Sequence, residues 1–230
     1  MEKELPGIIY KSRDEYMSFN TPIIDSNDSM YQIPFEKDAT YFNNWESLAS
    51  YVKACENLVR TNRRYKKYIN YLKTEVKLDH CQVLTGLDDE DCDIEMHHGP
   101  IFTLYDICVI MIRYFLYRGW AITTYDIADK VLAEHENNHI QVVMLSSTIH
   151  EDVHNRNIFI NYRQAFGDLN KFITKYGCVF GPDYREKFNR YVDRSLMEDS
   201  SDYGVLDFSD RLNRVIDKTR NSSNTDITEE

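Results

Sequence analysis

Two pairs of histidines place the tightest constraint on how this 230-residue chain can fold. The first pair is adjacent, His97 and His98, at the end of Asp93-Ile94-Glu95-Met96-His97-His98-Gly99-Pro100. The second, His150 and His154, is spaced by four in Thr148-Ile149-His150-Glu151-Asp152-Val153-His154. On a helix, positions i and i+4 share a face with Cβ atoms about 5–6 Å apart, so two imidazoles there can share an ion. On a strand, adjacent residues point to opposite faces, so only one of His97 and His98 readily joins the same ion. A fold that unites the pairs must therefore pack a strand end against one helix face. All seven histidines lie between His80 and His154, a clustering that points to metal binding or catalysis. Taken singly, His80, His135 and His139 read as surface or turn residues rather than ligands.

The strand reading fits the local pattern. Cys92 to His98 alternates, with Ile94 and Met96 on one side and Glu95 and His97 on the other. His98 then falls on the apolar side, and Gly99-Pro100 ends the strand. Cys81 to Leu87 reads as a preceding short strand, with Asp88 to Asp91 as a polar turn. Thr103 with Asp106 forms a loose capping box for a helix that runs to about Tyr117 and stops at Gly119. Thr123 or Thr124 starts another helix, Tyr125 to His135, followed by a turn at Asn137-Asn138. Ile140 to Leu145 is rich in β-formers, and Ser146-Ser147 is placed to cap the helix carrying His150 and His154.

Around this segment, residues 1–42 read as an irregular arm and 43–80 as a basic-aromatic helical segment, with helical periodicity from Trp45 to Lys73. Residues 157–220 read as a C-terminal helical region, including helices at Leu169 to Tyr176 and Tyr184 to Leu196. Residues 221–230 read as a polar, disordered tail. The fold class expected is α+β and mainly helical, without internal repeats.

Charge distribution decides more than the total of −11. Residues 51–80 carry a net +5 and 155–194 a net +4, whereas 81–154, which hold every histidine but His80, carry −10. Any phosphate backbone would have to be gripped by the flanks and a metal. The run from Arg60 through Arg63, Arg64, Tyr65, Lys66, Lys67 and Tyr68 interleaves basic and aromatic residues, which suits phosphate contact. An amphipathic helix that buries tyrosine rings and leaves its lysines in solvent explains the same pattern.

At 42% hydrophobic the chain is able to bury a substantial core. No apolar run reaches the roughly 18 residues of a spanning helix, and the longest, Ile107 to Leu116, is interrupted by Arg113. The N-terminus shows no apolar h-region. Five scattered cysteines without a CxxC pair argue against a zinc ribbon and fit a reducing compartment. Together these features predict a soluble, cytoplasmic protein without a membrane partner.

The order strand–His-His, insertion, strand, Ser-Ser, helix–His-x-x-x-His resembles the HNH, or His-Me finger, endonuclease core, and within it the colicin-like subgroup. A phage-encoded relative is the form this resemblance suggests. It covers residues 81–156 and implies a small ββα-metal core with a helical insertion at 102–137. Carried over residue by residue, His98 looks like the general base, and His97, His150 and His154 look like ligands to one divalent metal. Gln141 stands where the family has an asparagine that orients the base. Where many members carry a CxxC zinc pair, this chain has Ser146 and Ile149. Imidazole donors favour Zn²⁺, Ni²⁺ or Mn²⁺, whereas Mg²⁺ prefers oxygen. Glu95, Glu151 and Asp152 are candidates to orient the ligand rings.

The resemblance implies a metal-dependent endonuclease acting on double-stranded DNA, held by Arg60, Arg63, Arg64, Lys66, Lys67, Arg156 and Arg163. Two alternatives stand beside it. One is a catalytically weakened HNH-like protein that binds DNA or serves in a virion or its assembly, with a protein partner. The other is a structural protein stabilised by its metal, which chelation would unfold.

Overall fold

The computed structural model describes residues 36–84 and 86–197. The arm expected at 1–42 therefore lies outside the described residues up to position 35, as do the expectations for 198–220 and for the 221–230 tail.

The first helical segment is two helices rather than one. α1 spans Trp45–Thr61 and α2 spans Arg63–Thr74. Asn62 breaks the run with extended backbone (φ −70°, ψ 141°), and its side chain accepts from the Arg64 N–H, capping α2. An asparagine serves this role well because its carbonyl satisfies an orphan amide at the new helix start. The apolar stripes of both helices face inward, with Val52, Cys55, Val59, Tyr65, Tyr68 and Leu72 buried.

β1 (Ile94–His98) follows, then α3 (Leu104–Tyr117), α4 (Thr124–Glu136), β2 (Val142–Ser146) and α5 (Ser147–His154). α3 and α4 begin at reciprocal capping boxes. In each, the threonine Oγ1 accepts from an aspartate N–H and the aspartate carboxylate accepts from the threonine N–H: Thr103 with Asp106, and Thr123 with Asp126. α6 (Leu169–Tyr176) and α7 (Pro182–Met197) complete the described helices.

The region read as an insertion is the centre of the protein. α3 buries Leu104 and the continuous run Ile107 to Ile112, and α4 buries Ile127, Ala128, Val131 and Leu132. The two helices pack on each other and on α1. At roughly 1.5–3 kcal/mol for each fully buried large aliphatic side chain, this layer supplies much of the driving force for folding. No helix among the described residues is long and apolar enough to cross a membrane.

The sheet has two antiparallel strands, with Met96 opposite Met144 and His97 opposite Val143. The described residues between Cys81 and Leu87 do not form the first strand expected from sequence. Gln82 instead docks on the outer edge of β2: its N–H donates to Met144 O (2.9 Å), and its Oε1 accepts from Met144 N–H (2.7 Å). Phe166 closes the same edge at Val142 with a reciprocal pair of backbone bonds of 2.8 and 2.9 Å. Val142 and Met144 are thus paired on this edge without a third strand, which protects an otherwise open edge.

A candidate three-histidine metal centre

β1 positions its side chains by simple alternation. Ile94, Met96 and His98 go into the core, while Glu95 and His97 face α5. α5 presents His150 and His154 one turn apart. The three rings of His97, His150 and His154 lie at centroid separations of 5.0, 5.1 and 4.7 Å, and one ring nitrogen of each comes within 4.8 Å of the others. Burial falls across the trio, from buried His97 through half-buried His150 to exposed His154.

Hydrogen bonds set the tautomers. His150 Nδ1 is 2.5 Å from Glu95 Oε2, so Nδ1–H donates to the carboxylate and Nε2 carries the lone pair. His154 Nε2 lies 3.1 Å from His150 Nε2, so the two helix imidazoles bring one nitrogen each to the same point. Glu95 is also held by Ser147 Oγ–H at 3.2 Å, and the His150 hydrogen bond keeps its carboxyl below the usual range. Burial lowers His97 to about 4, with the neighbouring His150 and His154 acting in the same direction, so its ring is neutral at physiological pH. Ser146 occupies the N-cap position of α5 but makes no side-chain cap bond; its Oγ is buried without a partner.

His98 belongs to a different environment. Its ring is buried, stacked on Tyr65, and its Nε2 is 2.9 Å from His135 Nε2. His135 Nδ1 is 2.7 Å from the Val131 carbonyl and must donate there, which leaves its Nε2 to accept from His98 Nε2–H. Burial holds both rings neutral, His135 down to about 4 and His98 well below its ordinary value. Sequence reasoning placed His135 in a surface or turn class, but it is fully buried on α4 beside Tyr65 and Tyr68. The signal was its position one helical turn after Val131, on the apolar stripe of α4. His139 is half-buried with Nδ1 2.7 Å from Glu134 Oε2, and His80 pairs with Asp79.

Gln141 precedes β2. Its Nε2 donates to the Tyr162 carbonyl (2.9 Å), and its Oε1 is buried without a partner. The basic residues are dispersed. Arg64 is tied to Asp129 and Glu136, and Arg60 approaches Glu56 at 3.9 Å. Arg63, Lys66, Lys67, Arg156 and Arg163 are exposed. Of the acidic candidates, Glu95 reaches the trio, while Asp152 accepts from Asn157 Nδ2 and Glu151 is exposed.

The fold and the site thus define a mainly helical α+β protein with a small two-stranded antiparallel sheet and a three-histidine cluster at its face. Over residues 3–222 the chain matches the Bacteriophage G278-like virion protein family, and it belongs to that family. No curated protein and no solved structure matches it.

This corrects the HNH reading. The family match runs through the whole 81–156 segment and far beyond it, so membership of the HNH endonucleases, and the endonuclease label with it, is overturned. The structure shows how the resemblance arose. Two antiparallel strands followed by a helix suffice to unite His97, His150 and His154, whatever lies around them. Here, helices that are central to the core join the strands, and the His98 ring points into that core.

Proposed function

We propose that this protein is a structural or assembly component of a bacteriophage particle, whose partners are other proteins of that particle. The observation that carries this reading is the family match over residues 3–222. The geometry supports it. His98, the side chain cast as a base by the HNH resemblance, is sequestered in a neutral pair with His135. The basic run of α2 is partly consumed by ion pairs to α4, where Arg64 fastens the two helices together. Tyr65, Tyr68 and Leu72 serve the core, as an amphipathic structural helix requires.

The test is the composition of the particle. Phage purified by density gradient, then washed and treated with nuclease, is expected to retain this chain at a fixed ratio to the major capsid or tail proteins by quantitative mass spectrometry. Recovery only in the soluble lysate fraction would overturn the assignment. A plasmid-nicking assay across Mg²⁺, Mn²⁺, Ni²⁺ and Zn²⁺ is expected to show no cleavage above the metal-only control.

A further inference from the structure

We propose that His97, His150 and His154 bind one borderline divalent transition metal, Zn²⁺ in type, which fastens α5 to β1, with Glu95 as the positioning residue for His150. The inference stands apart from the role in the particle, because it rests on the donor set and its geometry alone.

Three observations converge. The first is the donor set. Three imidazoles from two elements bring one nitrogen each to within 4.8 Å of the others. Around a tetrahedral ion with Zn–N near 2.0–2.1 Å, ligand nitrogens sit about 3.4 Å apart. The His150–His154 pair, at 3.1 Å, is already at this separation, and the widest gap closes by about 1.5 Å or less. All-nitrogen donors of this kind select Zn²⁺, Ni²⁺ or Co²⁺ over the oxygen-seeking Mg²⁺ and Ca²⁺.

The second is orientation. Glu95 Oε2 accepts from His150 Nδ1–H at 2.5 Å, which fixes the tautomer that leaves Nε2 for the metal. A carboxylate behind a ligating histidine aims the ring and raises its basicity. Glu95 reaches this position because it lies two residues before His97 on the same face of β1. Its carboxylate also adds negative charge beside a site that gathers only neutral ligands.

The third is the weakness of α5 without such a tie. It has eight residues, Ile149 is its one fully buried side chain, and its N-cap serine provides no side-chain bond. A helix this short draws its stability from tertiary anchoring rather than from propensity. His150 and His154 lie one turn apart along α5, so a metal bound to them and to His97 ties α5 to the strand. Three protein ligands leave the fourth tetrahedral position to solvent on the exposed side, next to His154.

The experiment uses the full-length protein, stripped with a chelator and titrated with Zn²⁺ against a chromogenic competitor. The wild type is expected to take up a single tight equivalent of Zn²⁺, to gain thermal stability as it does so, and to ignore Mg²⁺ at equal concentration. His154→Ala removes an exposed side chain and is expected to leave the circular dichroism spectrum unchanged while weakening affinity about a hundredfold or more. Glu95→Gln is expected to weaken it about tenfold, within the range for loss of an outer-shell partner. His80→Ala, remote from the trio in sequence and in hydrogen bonding, is the control and is expected to bind as the wild type does. Hydrogen exchange adds a readout of the tie: amides of α5 are expected to slow on loading in the wild type and not in His154→Ala. Failure of the wild type to take up one equivalent overturns the site, as does uptake undiminished in His154→Ala. Loading without slower exchange in α5 overturns the fastening role.

Discussion

Gly99 links the backbone of β1 to the orientation of a ligand ring. Its φ of +142° lies where a side chain is strained, and a Cβ built there would meet His97 Nε2 at 3.2 Å and Cδ2 at 3.4 Å. The ring of His97 lies against the space that glycine leaves open. Gly99→Ala is therefore expected to cost about 1–3 kcal/mol from the backbone alone and to displace the His97 ring. Zn²⁺ affinity should fall by about tenfold, the scale on which loss of a ligand's support acts. Thermal unfolding with and without Zn²⁺ separates the two effects. A stability loss equal in both conditions would mean that His97 has not moved. Gly167 is constrained in a different way: a Cβ there would lie 2.3 Å from the Ile140 carbonyl oxygen, where the chain crosses behind β2 after the Phe166–Val142 bridge. Backbone, rather than a side chain that can turn, blocks that position.

Among the elements, β2 is fully buried although only one neighbouring strand pairs with it. Gln82 supplies the missing partner by using its side-chain amide as a peptide group, accepting from Met144 N–H and passing its own Nε2–H to the Gln164 carbonyl at 2.9 Å. Gln82→Ala leaves the Met144 N–H buried and unpaired and is expected to cost about 1–3 kcal/mol. Urea unfolding checks the magnitude, and faster exchange at the Met144 amide checks the mechanism; a loss under about 0.5 kcal/mol would mean that water replaces the amide. This contact also marks the limit of what sequence pattern reveals. The capping boxes at Thr103 and Thr123, the alternation that separates His97 from His98, and the i,i+4 pair of α5 are local, and local chemistry determines each of them. The stretch from Cys81 to Leu87 looked like a strand because its composition suits one, yet its actual role depends on a glutamine reaching a partner 62 residues away. The break at Asn62 was hidden because the apolar stripe continues on both sides of it. His135 was misplaced because a histidine one turn from Val131 reads as polar until its partner, His98, is known. The family resemblance failed for a related reason: a short metal-binding signature constrains three side chains and leaves the rest of the chain free.

For the molecule as a whole, the buried ionisable groups set the response to acid. His135 is fully buried between Tyr65, Tyr68 and His98, and burial lowers its pKa to about 4 against the Val131 carbonyl and the charges of Glu134 and Glu136. Below an unfolded pKa near 6.5 the unfolded chain binds a proton that the folded chain refuses, so stability falls as pH drops from about 6.5 toward 4. At 1.36 kcal/mol per pKa unit, His135 alone accounts for a loss of about 3 kcal/mol across that window. Glu134 acts lower on the scale. Burial raises its pKa, but Lys175, Tyr176 and His139 donate to its carboxylate and outweigh burial, holding it at about 2. Its contribution is complete above the unfolded value near 4.3 and is lost as pH falls through that value toward 2. The protein is therefore expected to lose stability in two limbs, one beginning near pH 6.5 and a second beginning near pH 4.5. Urea unfolding in excess chelator, from pH 8 to pH 3, isolates these limbs from metal release. Glu134→Gln is expected to start several kcal/mol lower at pH 7, because it leaves Lys175 facing an uncharged buried partner. It should show a shallower second limb while keeping the first. A profile flat between pH 7 and pH 4.5 would show that the His98–His135 pair accepts a proton in place, and the neutral buried dyad would then be the wrong description of this core.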